Sequence, residues 1–147
     1  MKTSTLHSVT YQHFENLQLS AQDFYETLKT TIGQYQFPDV RCEIRTLSDN
    51  GWFESKRLYL QVKFHSFTYN ICAAPFGKNF FISWRLEEAD SFWIRFSRAL
   101  EGKKFKSFYE LDTEMMFKDS ITAIVIAQVE VVMSEHGFRQ SEEPTVQ

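Results

Sequence analysis

The side chains of this sequence that could do chemistry are few and far apart. Two cysteines, Cys42 and Cys72, and four histidines, His7, His13, His65 and His136, show no metal-ligand spacing among themselves. There is no HExxH, CxxC, GxGxxG, GxSxG or phosphate-binding glycine loop. A nucleophilic Cys72 would need a base within hydrogen-bond reach and a depressed pKa. His65 falls two rows away on the expected sheet, roughly 10 Å by pleat spacing, so Cys72 reads as a packing residue. Asp112 and Glu114 open a helix, where carboxylates serve capping and the helix dipole. No catalytic residue, metal or cofactor is therefore assigned, and the reading leans away from an enzyme.

Two groupings point to binding instead. The alternation of the central strands places Lys63, Asn70 and Arg85 in one row across the outer sheet face. Arg41 joins the row if Cys42 opposes Val62. Cations in line repel unless an anion or nearby carboxylates compensate. A phosphate or a nucleic-acid backbone could compensate them; Glu43 and Glu87 flank the row and could neutralise it equally well. The second grouping interleaves aromatics with cations: Phe92, Trp93, Arg95, Phe96 and Arg98, then Lys103, Lys104 and Lys106, ending at Phe108 and Tyr109. Such a segment suits an anionic membrane surface or single-stranded nucleic acid, or a connector that packs its rings and solvates its charges.

The elements that must carry these residues follow from periodicity. Val9 to Leu19 alternate loosely and predict a first strand. Ser20 is an N-cap with Asp23 in the first turn, and Phe24, Leu28, Ile32 and Tyr35 keep helical spacing until Pro38. Four runs of period two follow, over Val40–Thr46, Leu58–His65, Phe67–Ala73 and Phe80–Leu86. Turn signals divide them, as in an antiparallel meander. A turn at Ser66-Phe67 would pair Phe64 with Tyr69, Val62 with Ile71 and Leu60 with Ala73. A turn at Gly77-Lys78, with Gly first as type II′ prefers, would pair Ala73 with Ile82, Ile71 with Trp84 and Tyr69 with Leu86. Both registers give one apolar inner face. Phe92, Trp93, Phe96 and Leu100 would share a helical face. A long helix is expected from Asp112 to about His136, capped by Asp112 or Thr113, with Gly137 at C′. Its β-branched run, Ile124 to Met133, also admits a strand.

The expected fold is α+β: a curved antiparallel sheet of about five strands in the order β-α-β-β-β-β-α, with both main helices on one face. A single domain over residues 1–140 and a flexible tail over 141–147 are expected. The 147 residues, 43% apolar and 24% charged, suffice for one core. With 15 Phe, 6 Tyr and 3 Trp, that core or a partner surface should be aromatic. A net charge of −3 without long like-charge runs lacks the overall basic character common in DNA-binding domains, so nucleic acid is not the expected partner. The N-terminus lacks a signal-peptide apolar region, and no apolar stretch approaches the roughly 18 residues of a membrane span. Two cysteines in a chain of this size suggest free thiols in a reducing compartment, hence the cytoplasm.

Two stretches carry a resemblance. Ile71-Cys72-Ala73-Ala74-Pro75-Phe76-Gly77 with Phe80-Phe81-Ile82-Ser83-Trp84, and Tyr109-Glu110-Leu111-Asp112-Thr113-Glu114-Met115-Met116-Phe117 with the helix after it, resemble segments of a family of uncharacterised bacterial proteins. Together they cover about half the chain. The resemblance implies no activity and no catalytic residue. It does imply an apolar, membrane-like insertion between the two segments, from which residues 88–108 depart through Arg95, Arg98, Lys103, Lys104 and Lys106. The strand and helix order is also that of one repeat of the TATA-binding-protein fold and is close to helix-grip domains, an analogy of layout alone. The function expected is a non-catalytic binding or adaptor module for a protein partner or a membrane surface, peripheral through segment 92–109. A ligand or enzyme pocket between sheet and long helix, or anion and nucleic-acid binding on the outer face, stand as alternatives.

Overall fold

The computed structural model describes residues 4–48, 56–89, 100 and 107–136, with backbone alone for 4–9. Its elements run β1 (Ser4–Phe14), α1 (Ala21–Gln34), β2 (Val40–Ser48), β3 (Lys56–Phe64), β4 (Phe67–Phe76), β5 (Asn79–Ala89) and α2 (Phe108–Glu135). The five strands form one antiparallel sheet in the order β1-β5-β4-β3-β2. Both helices cover one face, as expected from the alternation. Leu60, Val62, Phe64, Phe67, Tyr69, Ile71, Ala73, Phe80, Ile82, Trp84 and Leu86 are buried beneath them. Period-two alternation sends the intervening side chains to the opposite, outer face.

β1 begins at Ser4, before Val9, and α1 ends at Gln34, with Tyr35 outside it and exposed; three further boundaries differ from the sequence reading. β1 ends at Phe14, not near Leu19: Asn16 takes a left-handed φ of 53° and breaks the strand, while Leu17 folds down into the core. The β3–β4 turn lies at His65-Ser66, not Ser66-Phe67. Phe64 pairs with Phe67, Val62 with Tyr69 and Leu60 with Ile71. His65 adopts φ 50° in the turn, which frees Phe67 to remain in the strand with its ring buried. A two-residue slip preserves the identity of each face, so the apolar pattern cannot distinguish the two registers. The β4–β5 register is the expected one, with Gly77 at φ 62°. Lastly, α2 begins four residues before Asp112. Its N-cap is Ser107, whose hydroxyl accepts from the Glu110 N–H at 3.2 Å. Ser107 and Glu110 are spaced as in a capping box.

α1 is capped as read: the Ser20 hydroxyl accepts from the Asp23 N–H at 3.2 Å. Phe24, Tyr25, Leu28 and Ile32 form its buried stripe. α2 packs on the sheet through Phe117, whose ring stacks on Phe64 at 4.9 Å and meets Tyr69 at 6.0 Å. The Tyr69 and Thr122 hydroxyls, 2.6 Å apart, complete the seam. Beside this seam a concavity of about 530 Å³ lies between the β3–β4 turn and the first turns of α2, lined by Phe64, Phe67, Tyr109 and Thr113 among others. A concavity of about 250 Å³, lined by Phe37, Val40, Phe64 and Met116 among others, opens at the β2 edge.

The β3–β4 ladder stops early. It ends at Leu60–Ile71, although both strands continue; the next inward pair would be Leu58 and Ala73. The Tyr25 hydroxyl occupies that gap. It accepts from the Ala73 N–H at 2.7 Å and donates to the Leu58 carbonyl at 2.7 Å, with the Ala73 carbonyl at 3.2 Å. Backbone groups in a dry interior must be paired, and here one phenol pairs both strands. Burial pushes its pKa well above the ordinary tyrosine range, against the opposing effect of the Ala73 backbone bond. The phenol therefore stays protonated and able to donate.

Tyr25→Phe should lower stability by about 1–3 kcal/mol, since it strands buried backbone groups; urea unfolding measures this. A pKa raised on folding favours the protonated form, so the Tyr25 contribution is complete below the unfolded value of about 10 and declines as pH rises above it. The alkaline fall in stability should therefore be shallower in Tyr25→Phe than in the parent.

Candidate functional site on the outer sheet face

The expected row of four does not form as one unit. Arg41 does oppose Lys63, and Cys42 opposes Val62. The shifted turn, however, sets Lys63 against Thr68 and brings Gln61 opposite Asn70. Asn70 opposes Arg85 as anticipated. The line across the sheet is therefore Glu43–Gln61–Asn70–Arg85, one row from Arg41–Lys63–Thr68–Glu87. Lys63 is taken up by Glu43, Nζ to Oε2 3.3 Å, and Arg45 Nε lies 3.9 Å from the same oxygen. The flanking-carboxylate reading thus holds for Lys63 and leaves Arg85 apart.

Around Arg85 the surface is concave. A cleft of about 570 Å³ is floored by Gln61, Asn70, Arg85 and Glu87 and walled by the far part of the β2–β3 hairpin, through Leu47, Ser48, Lys56, Arg57 and Tyr59. Its size is that of a small-ligand site. Its β3 wall, Arg57 and Tyr59, belongs to the part of β3 beyond the end of the β3–β4 ladder at Leu60–Ile71. Lys56, Arg57 and Arg85 against Glu87 give the lining an excess of positive charge.

One buried donor at this cleft lacks an acceptor among the described residues, and a buried amide stands beside it. Asn70 is the buried polar residue of the described core, 7% exposed, and its Oδ1 accepts from Gln61 Nε2 at 2.8 Å. That bond turns the Asn70 Nδ2 hydrogens away from Gln61. Arg85 Nε is fully buried with no hydrogen-bond partner among the described residues. A buried donor without an acceptor costs about 1–3 kcal/mol. Asn70 and Arg85 are cross-strand neighbours, whose Cβ atoms stand about 5 Å apart on an antiparallel ladder.

Farther along the same face, His13 stacks on Phe81, centroids 4.4 Å apart and planes 2° from parallel. The two are cross-strand partners, and Phe76 meets Phe81 edge-on at 6.3 Å. Sequence reading missed this pair because a histidine without metal spacing carries no signal by itself. Had β1 been ended at Phe14 and aligned with β5, the pairing of His13 with Phe81 would have been visible.

The other chemically capable side chains are dispersed. Cys72 is buried on the outer face opposite Ser83, not beside Gln61 as the expected register had it. His65 lies in the β3–β4 turn, Nε2 3.8 Å from Asp39 Oδ2. Cys42, half-buried on the inner face, has its thiol pKa pushed up by burial, partly offset by Lys29. Both thiols are free, and they project to opposite faces. Among the described residues no group of three or more His, Cys, Asp or Glu could hold a metal ion. No helix among them is long and apolar enough to cross a membrane. The segment holding Phe92, Trp93, Arg95, Phe96, Arg98, Lys103, Lys104 and Lys106 lies outside the described residues, as do Gly137 and the expected tail. Phe108 and Tyr109, which end that segment, are exposed on the first turn of α2. No protein family, curated protein or solved structure matches the chain.

With a thiolate disfavoured at Cys42, that residue should react with a disulfide reagent more slowly than an unfolded cysteine at pH 8. Stopped-flow thiol titration before and after denaturation should show an increase in rate of at least tenfold.

Proposed function

We propose that this protein is a non-catalytic binding module that takes an anionic group in the outer-face cleft. One observation carries the reading: Arg85 Nε is a buried donor without an acceptor among the described residues, and the Asn70 amide stands beside it in a cleft whose described lining is net positive. Charge-assisted N–H···O bonds to a carboxylate or phosphate are about twice as strong as neutral ones and would satisfy both groups. Asn70 is held ready by Gln61, so little side-chain freedom is lost on binding. The binding reading also accords with the dispersal of thiols, imidazoles and carboxylates. Two free thiols fit a reducing compartment, and the cytoplasm is the proposed location. A membrane-surface role rests on the segment from Phe92 to Lys106, which lies outside the described residues; Phe108 and Tyr109 at its end are exposed and are followed by Glu110, Asp112 and Glu114.

Titration with inorganic phosphate at low salt, followed by amide NMR, tests this directly. The Asn70 and Gln61 side-chain amides should shift together and saturate, and Arg85→Met should abolish the response. Unchanged amide signals, or an equal response in Arg85→Met, would refute the site.

A further inference from the structure

The outer face differs in charge from α2, which lies on the opposite side of the sheet. Across β2–β5 it carries Arg41, Arg45, Arg57, Lys63 and Arg85 against Glu43 and Glu87, in a chain of net charge −3. α2, on the opposite side, carries Glu110, Asp112, Glu114, Asp119, Glu130 and Glu135 against Lys118 alone. A polyanion is thereby attracted to one face and repelled from the other. Arg41, Arg57 and Arg85 form no ion pair among the described residues, whereas Glu43 occupies Lys63 and lies near Arg45.

The same face presents rings. His13 is exposed on β1, an edge strand, so among the described residues no further strand covers the imidazole face turned away from Phe81. Phe76, 74% exposed, and Tyr11, 38% exposed, stand on the same face nearby. A parallel ring stack at a sheet edge can be extended by one more flat ring. Phe81 and Arg85 are four residues apart on β5, a distance of roughly 13 Å by strand rise. That is about four times the 3.4 Å charge spacing along one stacked strand of nucleic acid. A ligand that reaches both points is a chain carrying phosphates and flat rings.

We infer that the outer face binds single-stranded nucleic acid, with a backbone phosphate at Asn70 and Arg85 and an unpaired base stacked on His13 against Phe81. This rests on the anion-binding reading above and adds the base platform to it. Unpaired bases are required because a duplex keeps its ring faces stacked within itself. Every base has such a face, so binding is tolerant of sequence. Arg41, Arg57 and Arg85, which form no ion pair among the described residues, correspond to a log–log salt slope of about −2 for a single strand.

Fluorescence anisotropy on the full chain tests the inference with three labelled probes of equal length: a single-stranded oligonucleotide, its duplex, and an abasic phosphodiester. The single strand should bind tightest, with the stated salt slope. His13→Ala and Phe81→Ala should weaken it about tenfold, in keeping with base–aromatic stacking, and leave the abasic probe unaffected. Arg85→Met should weaken both. Thermal unfolding checks that each variant is folded; His13→Ala, at an exposed edge position, is the decisive one. Equal binding of the oligonucleotide and abasic probe, or duplex binding as tight as the single strand, would overturn the base platform and leave the anion site standing. No binding of any probe by the folded parent would overturn both.

Discussion

The Tyr25 hydroxyl is the point on which the architecture turns. Sheets ordinarily satisfy their backbone groups by continuing the ladder, yet here β3 and β4 separate beyond Leu60–Ile71 while Ala73 is buried and Leu58 half-buried. A phenol delivered from α1 takes the place of the missing strand–strand bonds, reaching both Leu58 and Ala73. Because its ring is buried in the core, the helix, the two strands and the opening between them are fixed together. The β2–β3 hairpin is thereby free to follow its own path, and its far part forms one wall of the outer cleft.

The two faces of the sheet have consequently become different materials. The inner face is aliphatic and aromatic and disappears under the helices. The outer face keeps its polar groups half-buried, which gives them direction: Gln61 orients Asn70, Glu43 holds Lys63, and Arg85 is confined without an acceptor. Solvated side chains on a flat surface would relax toward water or one another. Confined donors in a concave site retain their unmet capacity, and a retained capacity is what a ligand can use.

Much of this was legible in the sequence, and the gaps have physical causes. Alternation from Val40 to Leu86 announced the strands, their order and the membership of each face, because burial of one face is the strongest constraint on a strand. It could not announce the β3–β4 turn, since a slip of two residues leaves every side chain on its own face. The polar row was therefore assembled from Lys63, whereas Gln61 is the residue that meets Asn70. Leu17 looked like a strand residue because a loop residue entering the core has the same apolar identity. The start of α2 was written in Ser107 and Glu110, but Asp112 and Thr113 offered a second plausible cap farther on. The role of Tyr25 was hidden: at its helical position it reads as one more apolar residue, and nothing in the spacing reveals that its oxygen meets two backbones. Legibility thus ended where function depends on register and on single polar atoms.

Amide hydrogen exchange at Ala73, compared between the parent and Tyr25→Phe, tests this dependence most directly. If the phenol holds the gap, Ala73 N–H is protected in the parent and exposed to exchange in the variant, while Ile71 within the ladder keeps its protection. Equal protection of Ala73 in both proteins would mean that β3 and β4 close on each other without Tyr25, and the account of the opening, and of the cleft beside it, would be wrong.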